Sequence, residues 1–169
     1  MSLPIHRAAI ALGANLGERE QTIHAAIECL RAHPGIQTMR VSGLYRTKPI
    51  DAQGPDFCNA AAIVETTLEA KVLLDAMLEI EKQLGRTRSI RNAPRTIDLD
   101  LIAHDDCLMA LPDLTLPHPR AHERAFVLIP LCEIDTTVML GPAIESPLRP
   151  AADWLSEIDP VLWQQVMPW

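Results

Sequence analysis

Residues 94 to 102 read Pro-Arg-Thr-Ile-Asp-Leu-Asp-Leu-Ile, a run that alternates charged with apolar side chains. A period of two is that of a β-strand, so Asp98 and Asp100 project from one face while Ile97, Leu99 and Leu101 project from the other. A chain carrying this segment is expected to build a sheet with one face in a core and the other in a cleft. Along a strand the two carboxylates are about 7 Å apart and repel each other unless something positive lies between them. The natural occupant is a hard divalent cation that takes oxygen ligands, Mg²⁺ foremost.

Arg86, Arg88, Arg91 and Arg95 lie just upstream in a stretch without a single acid, although the chain's formal net charge is -7. A basic excess against that background marks a site. Arginine suits bidentate recognition of phosphate oxygens, and arginines beside a Mg²⁺-binding carboxylate pair point to a polyphosphate held jointly by metal and guanidinium. The plainer alternative is a solvated basic loop whose arginines pair with the neighbouring aspartates.

The remaining composition bounds the class. A chain of 169 residues with 48% hydrophobic content can bury one good core, and a single domain over 1–169 is expected. A pI near 5.3 argues against nucleic-acid binding. No apolar run approaches membrane-spanning length, and residues 1 to 7 lack the apolar region of a signal peptide, so a cytoplasmic location is expected. Cys29, Cys58, Cys107 and Cys132 show neither C-x-x-C spacing nor a disulfide framework and read as reduced structural residues.

Along the chain, residues 8 to 12 form a short apolar strand and residues 19 to 31 a helix with Ile23, Ala26, Ile27 and Leu30 on one stripe, stopped by Pro34 and Gly35. Residues 39 to 46 and 60 to 66 follow as strands, separated by a Pro/Gly-rich loop. A second helix over about 69 to 84 carries Leu73, Met77, Ile80 and Leu84 and ends at Gly85. With the strand at Asp98 the order is β-α-β-β-α-β, an α+β, ferredoxin-like core in which two helices cover one face of an antiparallel sheet. Asp105-Asp106 reads as a hairpin turn and residues 121 to 133 as a third helix. Nine of the 14 prolines and all three tryptophans lie beyond residue 110, which predicts a wrapping tail pinned by Trp154 and Trp163.

These residues resemble the 6-hydroxymethyl-7,8-dihydropterin pyrophosphokinase family over nearly the whole chain. The matching blocks are Leu-Gly-Ala-Asn-Leu-Gly at 12–17, Tyr-Arg-Thr-Lys-Pro at 45–49, Phe57-Cys58-Asn59, and Ile80-Glu81 with Gly85-Arg86. They continue with Pro-Arg-Thr-Ile-Asp-Leu-Asp-Leu at 94–101, Pro-His-Pro-Arg at 117–120 and Arg124-Ala125-Phe126. The resemblance implies transfer of the β,γ-diphosphate of ATP to the hydroxymethyl oxygen of the pterin, with release of AMP, in folate biosynthesis. It further implies two Mg²⁺ ions at Asp98 and Asp100, and a catalytic set of Arg86, Arg95, Asp98 and Asp100. Arg86, Arg95 and Arg124 correspond to phosphate contacts, His118 to an ATP contact, and Arg88 and Arg91 to more mobile ATP-binding helpers. ATP and the hydroxymethylpterin are the implied partners, and a monomer is expected.

The pterin side has its own chemistry. The chain's two phenylalanines, Phe57 and Phe126, fall at the family positions that sandwich the pterin ring. Asn59 both donates and accepts, as the edge of a pterin requires; Thr47 and the backbone around Ile50 complete that edge by resemblance. Each phenylalanine taken alone reads as ordinary core packing, the commoner fate of a phenylalanine. Gly13-Ala14-Asn15-Leu16-Gly17 matches neither phosphate-loop pattern and reads as a tight strand-to-helix turn, with Ala14 where serine is common in the family. Asn92 stands where some members carry an aromatic. His118 and His122 have an H-x-x-x-H spacing, but Pro119 and the lack of a third ligand weigh against zinc. The loop from Arg86 to Pro94, with like charges and only Ile90 to bury, is expected to close as a lid over MgATP. A regulatory binding module and a different Mg²⁺-dependent transferase are the competing classes; a pure binding module has no use for an adjacent metal-binding pair.

Overall fold

The computed structural model describes residues 2–48, 54–85, 97–142 and 147–169. Its main sheet is antiparallel and follows the order β10-β3-β4-β1-β5, with β2 also paired to β4. The strands are β1 (His6–Ala14), β2 (Ile36–Val41), β3 (Tyr45–Thr47), β4 (Phe57–Thr66), β5 (Asp98–His104) and β10 (Val166–Pro168). β2 and β3 are two pieces of one strand position along β4, in register at Val41 with Ala62 and Tyr45 with Asn59. The single strand expected over 39–46 is therefore interrupted. At the break Ser42 takes over the ladder: its N–H donates to the Ala61 carbonyl and its hydroxyl accepts from the Ala61 N–H, each at 2.9 Å. Counting β2 and β3 as one strand gives the ferredoxin-like βαββαβ arrangement.

Helices α1 (Arg19–Ala32) and α2 (Ala70–Gln83) form where the apolar stripes predict, burying Ile23, Ala26, Ile27 and Leu30 in one and Leu73, Met77 and Ile80 in the other. They pack on the face of the sheet that carries Ile10, Leu12, Ala60, Ala62, Leu99 and Leu101. Burial of side chains as large as Leu73 and Met77 contributes about 1.5–3 kcal/mol each. Gly35 follows α1 because a Cβ there would lie 2.5 Å from the Leu68 side chain.

The opposite face is partly covered. Helix α3 (Ala125–Ile134) and the short helix α4 (Ala151–Glu157) bury Val127, Leu128, Leu131 and Ala151 against Ala9, Ala61, Ile63 and Ile102. This second core occupies one end of that face. The end bearing Asp98 and Asp100 faces a cleft.

The C-terminal third departs from the sequence reading in four places. The chain does turn at 105–106, but β5 has no hairpin partner there; the hairpin is β6 (Met109–Leu111) with β7 (Leu114–Leu116). The helix expected over 121–133 divides at Arg124 into a 3₁₀ turn (Ala121–Glu123) and α3. The tail, with strands β8 (Met139–Leu140) and β9 (Arg149–Pro150) and helices α4 and α5 (Pro160–Gln164), ends as an edge strand of the main sheet, because β10 pairs with β3. Trp154 does pin it, donating its indole N–H to the Leu140 carbonyl at 2.8 Å. Trp163 is 42% exposed and does not; Trp169 holds the end instead, with the Arg46 and Arg19 guanidinium carbons 4.4 and 5.1 Å from its ring centre.

Candidate active site

Strand register brings the site together. Gly13 of β1 pairs with Asp98 on one side and Asn59 on the other, and Phe57 pairs with Thr47. Asp98, Gly13 and Asn59 thus form one row across three strands. Neighbouring strands are about 4.8 Å apart, so the carboxylate and the amide are rooted roughly 10 Å from each other. The glycine between them is required sterically: a Cβ at Gly13 would lie 3.0 Å from Asn59 Oδ1 and 3.9 Å from Phe57 Cδ1.

Asp98, Asp100, Thr47, Phe57, Asn59, Arg124 and Phe126 all line a cavity of about 660 Å³, joined by Gly13, Lys48, Arg120 and Glu123. Its two ends differ in chemistry. At one end, Asn59 is buried and donates its amide N–H to the Thr47 hydroxyl. Phe57 and Phe126 are each partly exposed beside it. The other end holds the acid pair. Arg124 lines the same cavity, its guanidinium carbon 5.7 Å from the Phe126 ring centre. Among the described residues that line this cavity, the two carboxylates are joined by no imidazole or thiol, a hard oxygen set that fits Mg²⁺.

Behind the pair stands Glu81. This residue of α2 is 1% exposed, and its Oε2 accepts the Leu99 N–H at 2.9 Å. Leu99 lies between the two aspartates on an edge strand, so the contact holds the backbone from which both carboxylates project.

His118 flanks the cleft. Burial pushes its ring down to about 4, with Arg124 adding to the effect and Asp98 opposing it. The ring is therefore neutral near pH 7. Nδ1 accepts the Arg120 N–H at 3.2 Å, which leaves Nε2 as a hydrogen-bond donor. His122 does not join it. Its ring packs edge-on against Trp154 at 4.7 Å, so the H-x-x-x-H spacing does not make a shared ligand pair.

Arg86, Arg88, Arg91, Arg95 and Ile50, together with the expected lid, lie outside the described residues. Sequence reasoning missed Lys48, Arg120 and Glu123 as lining residues. Arg120 closes the Pro-His-Pro-Arg block, and that was its only signal; its Nε donates to Glu123 Oε1 at 2.7 Å.

Comparison with known proteins decides the family. The family model for 7,8-dihydro-6-hydroxymethylpterin-pyrophosphokinase matches residues 9–136. The chain belongs to this family. The matched span runs from β1 to just past α3 and includes every described residue that lines the cleft. A 2-amino-4-hydroxy-6-hydroxymethyldihydropteridine pyrophosphokinase of Methylorubrum extorquens is 41% identical over 80% of this chain and 86% of its own length. The enzyme of the same name from Bacillus subtilis is 41% identical over 74% of this chain and 75% of its own. As a pyrophosphokinase family member the chain is a diphosphokinase, a transferase that uses ATP. Among solved structures, a Plasmodium falciparum HPPK-DHPS with pteroate aligns with a TM-score of 0.67 at 12% identity. That alignment covers 92% of this chain and 43% of the longer one. An HPPK-DHPS in complex with substrates aligns at 0.57 and 14% identity, over 78% of this chain and 40% of its own. Both support the fold. Among the described residues no helix is long and apolar enough to cross a membrane.

Proposed function

We propose that the chain transfers the β,γ-diphosphate of ATP to the hydroxymethyl group of 6-hydroxymethyl-7,8-dihydropterin and releases AMP. In this reaction the pterin hydroxyl oxygen bonds to the β-phosphorus, the bond to the α,β-bridging oxygen breaks, and the hydroxyl proton is lost. The observation that carries the reading is the row Asp98, Gly13, Asn59, which sets an acid pair and an aromatic, amide-lined pocket at opposite ends of one cavity. A flat heterocycle and a polyphosphate meeting in such a cavity have their reacting atoms where the two ends join.

Phe57 and Phe126 stack on the ring, while Asn59 and Thr47, with the backbone near Ile50, read its hydrogen-bonding edge. Arg124 and the neutral His118, together with Arg86, Arg88, Arg91 and Arg95, hold the triphosphate. Asp98 and Asp100 would hold Mg²⁺, two ions by family resemblance, which when bound would neutralise phosphate charge. Catalysis here depends on positioning and electrostatics, so no covalent nucleophile is required of the chain. We further propose that it acts as a monomer in the cytoplasm, as a step in folate biosynthesis.

The product distinguishes this reading from other ATP-dependent transferases. AMP should accumulate with one equivalent of pterin diphosphate, and only when the hydroxymethylpterin is present. ADP, or turnover without the pterin, refutes the assignment. The pterin pocket has a separate test. Phe57→Ala and Phe126→Ala should each weaken pterin binding by about 1–3 kcal/mol, the scale of base–aromatic stacking, with MgATP affinity little changed. Calorimetry with each ligand in turn measures both; equal losses for the two ligands would make these residues core and not stacking surfaces.

A further inference from the structure

At the other end of β1 and β5, away from the cleft, a second cluster of ligating side chains converges. His6 opens β1, and the pairing of Ala8 with His104 brings the end of β5 alongside it, followed by Asp105. One ligand atom from each of His6, His104 and Asp105 falls within 4.8 Å of the others. The two imidazole centroids are 4.7 Å apart. His6 Nδ1 lies 2.7 Å from Asp105 Oδ2, and its Nε2 lies 3.2 Å from Glu69 Oε1. Asp105 is itself held, because its Oδ1 accepts the Arg7 N–H at 2.7 Å.

His104 is the telling member. It is 1% exposed, and its Nε2 hydrogen-bonds the Leu68 carbonyl at 2.8 Å, so Nε2 carries the proton and Nδ1 keeps its lone pair. Among the described residues that buried Nδ1 has no hydrogen-bond partner. Buried polar atoms are rarely left so. An imidazole whose one N–H is fixed on a backbone carbonyl, while the other nitrogen presents a bare lone pair, has the outer-shell arrangement of a metal ligand.

We propose that His6, His104 and Asp105 form a binding site for one divalent transition-metal ion of the zinc class, separate from the Asp98/Asp100 site. Two imidazoles and a carboxylate select such an ion over Mg²⁺, which the all-oxygen acid pair suits. Glu69 lies on the other nitrogen of His6 and so holds the ring from outside the site, leaving the remaining position to water. An ion here would clip the start of β1 to the end of β5, fastening the edge strand whose far end carries the acid pair. The alternative is a purely hydrogen-bonded cluster with a water on His104 Nδ1.

Cobalt is the probe. Tag-free full-length protein, stripped with chelator and kept in excess Mg²⁺, is titrated with Co²⁺ and read by visible absorption. The expected result is one Co²⁺ per chain, with ligand-field bands of a low-coordinate site, no thiolate charge-transfer band, displacement by Zn²⁺ and a raised Tm. His6→Ala and Asp105→Asn should each weaken Co²⁺ binding more than about tenfold, since losing a ligand costs at least as much as losing an outer-shell partner. The same spectrum should persist in an Asp98→Ala/Asp100→Ala double variant. His104 fills core space, so its substitution risks unfolding; the two less buried positions carry the test, each checked for an unchanged far-ultraviolet CD spectrum. Absence of the bands, a thiolate signature, bands that survive both single variants, or bands lost with the acid pair would each overturn the site.

Discussion

Asp98→Ala and Asp100→Ala are each expected to lower turnover by at least about 10²–10³, the loss seen when one preorganised electrostatic group is removed from an active site. Both side chains are partly exposed in the cleft, on the face of β5 opposite Leu99 and Leu101. Substitution therefore removes function and little packing, and Tm should stay close to that of the parent. Steady-state kinetics over a Mg²⁺ titration separates the causes. A metal-binding role predicts that the concentration of Mg²⁺ needed for half-maximal rate rises together with the fall in kcat. Activity within about tenfold of the parent, at any Mg²⁺ level, would remove the metal role from the pair, because a loss that small lies below the range for such a group.

How far the sequence disclosed this site depends on which interactions are local. The strand at Asp98 and the helices at Arg19–Ala32 and Ala70–Gln83 were legible because side-chain periodicity is a property of consecutive residues. Phe57, Asn59, Arg124 and Phe126 are singled out by the family blocks; nothing in the spacing of those residues alone says that they share a cavity, as they do. Register is not local. That Gly13 lies between Asp98 and Asn59 follows from two ladders closed by residues more than forty positions apart. The pairing of Val166–Pro168 with β3 was missed for the same reason, since a three-residue strand leaves almost no periodic signal. Trp163 and Trp169 could not be ranked from composition, because the indole that anchors the tail is chosen by where Arg19 and Arg46 stand in three dimensions. Lys48 and Glu123 were missed because a charged side chain in a loop or turn reads as solvated until a cavity is seen beside it.

Glu81→Ala is expected to damage stability and turnover together, and it tests whether α2 positions the acid pair. A carboxylate at 1% exposure is costly to bury unless it is well partnered, and its contact with the Leu99 N–H joins a helix to an edge strand. Alanine leaves that N–H without its acceptor, at a cost of about 1–3 kcal/mol. For a domain of this size the loss corresponds to a fall in Tm of roughly 2–12 °C. Leu99 sits between Asp98 and Asp100, so loosening its backbone moves both carboxylates at once, and kcat should fall by more than KM for either substrate rises. Glu81→Gln keeps a carbonyl oxygen for the Leu99 N–H and should restore part of the lost Tm. Amide exchange gives the local readout. The Leu99 amide should exchange faster in Glu81→Ala than in the parent, while the amides of the central strand β1 remain protected. An Ala variant with parental Tm, kcat and Leu99 exchange would show that the strand holds its aspartates without the helix.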